Sequence, residues 1–175
     1  MSWTSWRSRS LAVLAACVLL PCGVAGCGSG ESRGRGDAVS SSPVGTVLAD
    51  TDETGRHLRE VPGGNAPEVG VQVTPGPGGW DVRLAFRHFR CSAPGARPTA
   101  VTGRGLAHLF VDGHRVARLR GHEYHLPGRL VRRGTHHVTA RLYADDGTVW
   151  AVRGEPVQST ADITVSAAES GTAQP

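Results

Sequence analysis

Eight histidines lie in this 175-residue chain, and seven of them fall between His88 and His137. Neutral imidazole is the commonest protein ligand for copper, zinc and nickel, so the density raises a metal chemistry first. A strand points successive side chains to opposite faces, so spacing decides which histidines can share an ion. His108 shares a face with Leu106 and Phe110. His136 shares one with Val138, Ala140 and Leu142. His122 and His125 are an odd number apart and need a bulge to meet one ion. The run His122-Glu123-Tyr124-His125 is one residue too short for helical zinc hydrolysis, which needs histidines at i and i+4 with Glu as base. Asp145-Asp146 stands beside Gly147 and reads as turn chemistry. A nucleophile elbow, a phosphate loop and a dinucleotide fingerprint are all missing from the sequence, so it is read as a non-enzyme.

A second chemistry is written at Cys27. Arg7 and Arg9 precede an apolar run at 11–20, and Val24-Ala25-Gly26-Cys27 follows with small residues before the cysteine. This is the three-part plan of an export leader. A spanning helix needs roughly 20 apolar residues, and Pro21 and Gly23 interrupt this run first. The cysteine run resembles the lipobox of bacterial lipoproteins, in which the thiol receives a diacylglycerol and becomes the mature N-terminus. Cys17 leaves too short an apolar run after Arg9, and Cys22 follows Pro21, so Cys27 is the expected lipidation site. The resemblance implies a cell-membrane protein, lipid-anchored on the extracytoplasmic side, with a signal peptide at 1–26.

Residues 27–67 are rich in Gly, Ser, Pro and charge with no apolar period. Such composition buries too little surface to offset its ordering entropy, so a flexible tether is expected there. A second disordered stretch is expected at 167–175. What remains, 68–166, suffices for one small domain. Cys91 has no intramolecular partner once the leader cysteines are set aside. It is a buried small hydrophobe, an interchain disulfide or a soft metal ligand.

All 19 basic side chains are arginine, and the formal charge is +4. With abundant Ala, Gly, Val and Pro, this usage resembles proteins of high-GC actinobacteria, so the arginines are not read as nucleic-acid binding. Seven arginines between Arg104 and Arg133 face only Asp112 and Glu123. They form either a solvated surface or a face for an anionic surface or protein partner.

The elements that must position these groups are strands. Val69, Val71 and Val73 alternate with polar or small residues, as do Trp80, Val82, Leu84 and Phe86. Asp112-Gly113 between two apolar runs signals a tight hairpin, and Asp146-Gly147 a second turn. About seven strands at even spacing predict an antiparallel immunoglobulin-like β-sandwich, with a small barrel as the alternative. Trp80, Phe86, Phe110, Tyr143 and Trp150 are the expected large core residues.

Gly105-Leu106-Ala107-His108-Leu109-Phe110-Val111-Asp112-Gly113, with Gly121-His122-Glu123-Tyr124-His125-Leu126 beyond it, resembles a family of small exported bacterial β-sandwich domains. Their pattern is a Gly-His-Ala-His-Leu-Tyr-Val-Asp-Gly hairpin before a Gly-Pro-Trp-Tyr-His-Leu strand. Leu106 stands where the pattern has its first histidine, and His122-Glu123 replaces Pro-Trp. The resemblance singles out His108 and His125 as the best-motivated metal pair, with His122, or Cys91 with His88, adding a ligand. Clustered histidines on an exported sandwich also loosely resemble periplasmic copper carriers. Two functional expectations follow: a lipid-anchored extracytoplasmic binding or interaction module without a cofactor, and, as the alternative, a lipoprotein handling copper or zinc.

Overall fold

Alternating apolar residues form strands where a second surface is present to bury one face against. The computed structural model describes residues 44–166, so the leader, Cys27 and the expected tail at 167–175 lie outside the described residues. In chain order the strands are β1 (Thr46–Thr51), β2 (His57–Glu60), β3 (Glu68–Gly76), β4 (Gly79–Arg87), β5 (Arg90–Cys91) and β6 (Arg104–Val111). They continue with β7 (His114–Leu119), β8 (Glu123–Pro127), β9 (Gly134–Tyr143), β10 (Val149–Val152), β11 (Glu155–Pro156) and β12 (Gln158–Val165). Short 3₁₀ turns at Gly63–Asn65 and Gly128–Leu130 are the helical elements among the described residues.

The strands form two sheets, one of nine strands and one of three, the latter in the order β3-β4-β8. The all-β, sandwich-like fold expected from the alternation is therefore the fold observed. Ala107, Leu109 and Val111 from β6 and Val138, Ala140 and Leu142 from β9 meet Val82 and Leu84 of β4 and Leu126 of β8 in one core. Trp150 joins them, fully buried, and its Nε1 donates to Arg104 O at 3.2 Å. Each fully buried aliphatic side chain here contributes about 1.5–3 kcal/mol relative to exposure. Trp80 and Phe86 pack half-buried against this core.

Turn chemistry fixes the registers. Val111 pairs His114 across the two residues Asp112 and Gly113, which take φ of 49° and 78°. That double left-handed geometry is the hairpin turn Asp-Gly favours, because its twist matches the strands it joins. Asp112 then ties the turn to β9: its Oδ1 accepts from His137 N at 2.9 Å and its Oδ2 lies 2.6 Å from His136 Nδ1. At Gly105, φ is 146° and a Cβ would overlap Tyr143 O, so only glycine lets β6 approach β9 there.

Three expectations are corrected. The stretch expected as tether folds from Val44 onward into β1, β2 and a 3₁₀ turn. Its few apolar residues are spent efficiently, with Leu58, Val61 and Ala66 all buried. Twelve strands among the described residues replace the expected seven or so: β1 and β2 lie in the expected tether, and β5 and β11 span two residues each and carry no periodic signal. Two pairings, β2 with β10 and β5 with β6, are parallel. A parallel pair needs a crossover of about a dozen residues or more, usually but not always a helix; residues 92–103 supply it between β5 and β6 without one, and β2 and β10 are joined through most of the domain.

Candidate functional site

The outer face of the large sheet carries polar residues where the alternation of β6 and β9 turns away from the core. Across these strands Leu106 pairs Tyr143, His108 pairs Arg141 and Phe110 pairs Thr139. On the other side of β6, His108 pairs Arg118 and Phe110 pairs Arg115. A face of this composition is ordinarily solvated. Here a second small core of Leu58, Phe110, Tyr143, Val149 and Ala151 forms on it, with Leu48 packed alongside. The loop between β1 and β2 therefore docks onto the sheet and brings Asp52 with it.

Asp52 is saturated with donors. Its Oδ1 accepts from Thr54 N at 2.9 Å, Thr54 Oγ1 at 2.7 Å and Arg56 N at 2.9 Å. Its Oδ2 accepts from Arg141 Nη1 at 3.0 Å and Tyr143 Oη at 2.6 Å. Burial pushes the carboxyl upward, but the hydrogen bonds from Tyr143, Thr54, the Arg56 amide and Arg141 outweigh it and bring it down to about 2. Arg141 is 4% exposed and spends its other arms on Glu53 Oε1 at 2.6 Å and Gln158 Oε1 at 2.8 Å. Its guanidinium carbon lies 5.1 Å from the centre of the Phe110 ring, within range of a cation–π contact. Tyr143 is pushed up to about 12, by burial first and by its bond to Asp52. Asp52 is thus no free base and Tyr143 no phenolate nucleophile.

His108 lies 8% exposed beside this network, stacked on Tyr143 with ring centroids 3.9 Å apart. Its Nδ1 is buried with no hydrogen-bond partner. Burial, then the positive charges of Arg115, Arg118 and Arg56, push its pKa down to about 4, so the ring is neutral at pH 7. The side chains of Arg56, Arg115 and Arg118 have no hydrogen-bond or ion-pair partner among the described residues. Exposed cations are therefore held around a neutral ring, over a network whose own charges are already matched.

The expected metal ligands do not converge. His108 lies on the outer face of the large sheet, whereas His125 stands on β8 in the small sheet, its Nδ1 2.9 Å from Asp81 Oδ1. That pair lines an open cleft of about 500 Å³ with Thr74, Arg83 and Glu123. His122 precedes β8, with Nδ1 3.0 Å from Leu84 O and its ring against Phe86. The strands of His108 and His125 are not neighbours: β6 turns into β7, and β8 crosses to pair β4. Among the described residues no three His, Cys, Asp or Glu side chains are grouped to hold an ion. The set His108, His125 and His122 is corrected on that ground, as is the addition of His88 with Cys91.

His88 bonds Ala66 O through Nδ1 at 3.3 Å. Cys91 is half-buried, and burial raises its thiol pKa against a smaller opposing effect of Arg120. His136 and His137 point to opposite faces, each to its own carboxylate, Asp112 and Asp162. Asp146 accepts from Thr148 N and Oγ1, the turn role expected of it, while its bond from Arg59 and that of Asp145 from Ser92 Oγ at 2.6 Å reach across the fold. Asp52 and Arg141, which pin the loop carrying Arg56 to the sheet, are the residues that sequence reasoning missed. Thr51-Asp52-Glu53-Thr54-Gly55 has the letters of a side-chain-capped turn between Leu48 and Leu58, the one signal that could have found them. No family model, curated protein or solved structure matches the chain.

Proposed function

We propose that the chain is a lipid-anchored extracytoplasmic binding module, not an enzyme, that presents the outer face of its large sheet to an anionic surface. Cys27 holds it to the cell membrane, and the leader before Cys27 exports it. The observation that carries the binding reading is the set of unpaired arginines Arg56, Arg115 and Arg118 around His108. A structural ion network would have matched these charges as it matched Arg141 with Asp52 and Glu53. Unmatched cations close together raise the local potential and attract anions. A copper- or zinc-handling role has no support from this arrangement, because the histidines proposed to hold the ion are dispersed.

Two measurements on the full chain test the reading. The Cys27→Ala chain should leave the membrane fraction and lose labelling by a fatty-acid probe; retained label would move the anchor elsewhere. The same unlipidated chain should co-float with phosphatidylglycerol vesicles and not with phosphatidylcholine vesicles, and salt should weaken the association as it screens surface charge. Equal behaviour toward the two vesicles would overturn the anionic-surface reading.

A further inference from the structure

We infer that His108, Arg115, Arg118 and Arg56 form a recognition site for a phosphoryl group. This deepens the binding-module reading and rests on it. The register puts three of the four on one face: Arg118 stands directly opposite His108, and Arg115 opposite Phe110, two residues along β6. A bulge between Leu109 and Phe110 lets Arg115 and Arg118, an odd number of residues apart, both stand on the outer face. Arg56 comes from the other side, on the loop that Asp52 docks against Arg141 and Tyr143. The site is thus walled by two strands and a pinned loop.

The imidazole supplies direction. Nδ1 is buried and unpartnered, while Nε2, equally without a partner, is not enclosed. A buried N–H with no acceptor costs more than an unfilled lone pair whose ring is stacked, so the proton belongs on Nε2. That leaves one unpartnered N–H donor on a ring that the charges of Arg115, Arg118 and Arg56 reach. Asp52, the carboxylate that acts on His108, is spent on Arg141 and Tyr143 and does not compete.

The donor set favours a tetrahedral oxyanion over a carboxylate. Each guanidinium presents a planar fork suited to two oxygens. Three forks and an N–H exceed what the two oxygens of a carboxylate accept, and suit the three or four oxygens of phosphate. The phosphoryl group has two sources: a free phosphate ester, whose three charged oxygens match the donor set more fully, or the phosphodiester headgroup of a lipid at the membrane to which Cys27 is proposed to hold the chain, whose two charged oxygens leave part of that set to water.

The test uses the full chain carrying Cys27→Ala and inorganic phosphate as the probe, read by equilibrium dialysis and by the His108 ring resonances. Saturable binding that moves those resonances is expected. Arg115→Gln with Arg118→Gln should weaken it at least tenfold; both side chains are exposed, so the fold stays intact. His108→Phe keeps the stack on Tyr143, removes the N–H and should also weaken binding. Arg83→Gln, on the outer face of the small sheet, should leave it unchanged. Competition by phosphatidylglycerol vesicles assigns the site to a lipid headgroup, and absence of competition to a free phosphate ester. No saturable phosphate binding, or binding untouched by Arg115→Gln with Arg118→Gln, overturns the site. Vesicle binding by a chain that shows no saturable phosphate binding overturns the site alone and leaves the module reading standing. A Cys27→Ala chain, otherwise unaltered, that ignores anionic vesicles sinks the module reading itself.

Discussion

The imidazole of His108 and the phenol ring of Tyr143 stack face to face, 3.9 Å between centroids and 23° between planes. They are diagonal neighbours, since His108 pairs Arg141 and Leu106 pairs Tyr143 across β6 and β9. Diagonal neighbours on adjacent strands are within reach of aromatic rings. The stack gives the imidazole an apolar neighbour on one face and no acceptor at Nδ1. Protonation of His108 therefore adds a charge beside arginines that Asp52, already committed to Arg141 and Tyr143, opposes only weakly.

The first prediction is an acid-sensitive stability. His108 titrates near 6.5 unfolded and about 4 folded. Between these values the unfolded chain binds a proton that the native chain refuses, so stability falls as pH drops from about 6.5 to about 4 and levels off below. The full effect is on the order of 3 kcal/mol, because moving a pKa by one is worth about 1.36 kcal/mol. Denaturant unfolding of the unaltered chain and of His108→Phe at pH 7 and pH 4.5 measures it. The variant should lose less stability over that interval, and parallel losses would mean the imidazole is solvated.

Asp52 gives the second. The Arg141 and Asp52 side chains are 5% and 0% exposed, and removing one partner of a buried pair typically costs about 3–5 kcal/mol. Asp52→Asn should approach that cost. Tyr143→Phe, which removes one of five donors, should cost only about 1–3 kcal/mol. The Asp52 contribution is present above pH 3.8 and lost as pH falls toward about 2. An Asp52→Asn chain as stable as the parent at pH 7 would reduce the network to a surface contact.

A truncation series checks where the domain begins. A chain of residues 44–166 should melt cooperatively and show no dependence on reductant, since Cys91 is a free thiol. A chain of residues 68–166 loses Leu48, Asp52 and Leu58, exposing Phe110, Val149 and Ala151 and leaving Arg141 without its buried carboxylate. It should melt at least 10 °C lower or without a cooperative transition. Equal melting of the two would return residues 44–67 to the tether.

The limits of the sequence lie in the same places. Val69, Val71 and Val73 against Val82, Leu84 and Phe86 announce a hairpin by period alone, and the pairing is Val71 with Leu84 and Val73 with Val82. Asp112-Gly113 announces its own turn. Those signals are local, within a few residues of the contact they specify. Asp52 meets Arg141 at a separation of 89 residues, and nothing in either neighbourhood names the other. The His108–His125 pairing failed for a related reason. Spacing shows which face of a strand a residue occupies, not which sheet the next strand joins. Arg115 and Arg118 were legible as charge, but their place beside His108 needed the bulge after Leu109.

The last prediction sets a second histidine against the first. His136 has its pKa raised, chiefly by the hydrogen bond to Asp112 and against some burial, and Asp112 is lowered by the same bond first. A raised histidine contributes stability that is fully present below its unfolded pKa of 6.5 and lost as pH climbs through the folded value. Its slope therefore opposes that of His108 and lies on the alkaline side of it, so the two together give the unaltered chain a stability maximum near pH 6.5. Asp112→Asn separates them. Asparagine tolerates the left-handed backbone that Asp112 holds at φ 49°, so the turn survives and only the charge is lost. Asp112 is 44% exposed at its side chain, so the pair contributes no more than about 1 kcal/mol. Removing it should abolish the gain in stability as pH falls toward 6.5 from the alkaline side and leave the loss below 6.5 unchanged. A slope unchanged by Asp112→Asn would show that His136 carries no proton at neutral pH, and that the hairpin is held by its Asp-Gly backbone alone.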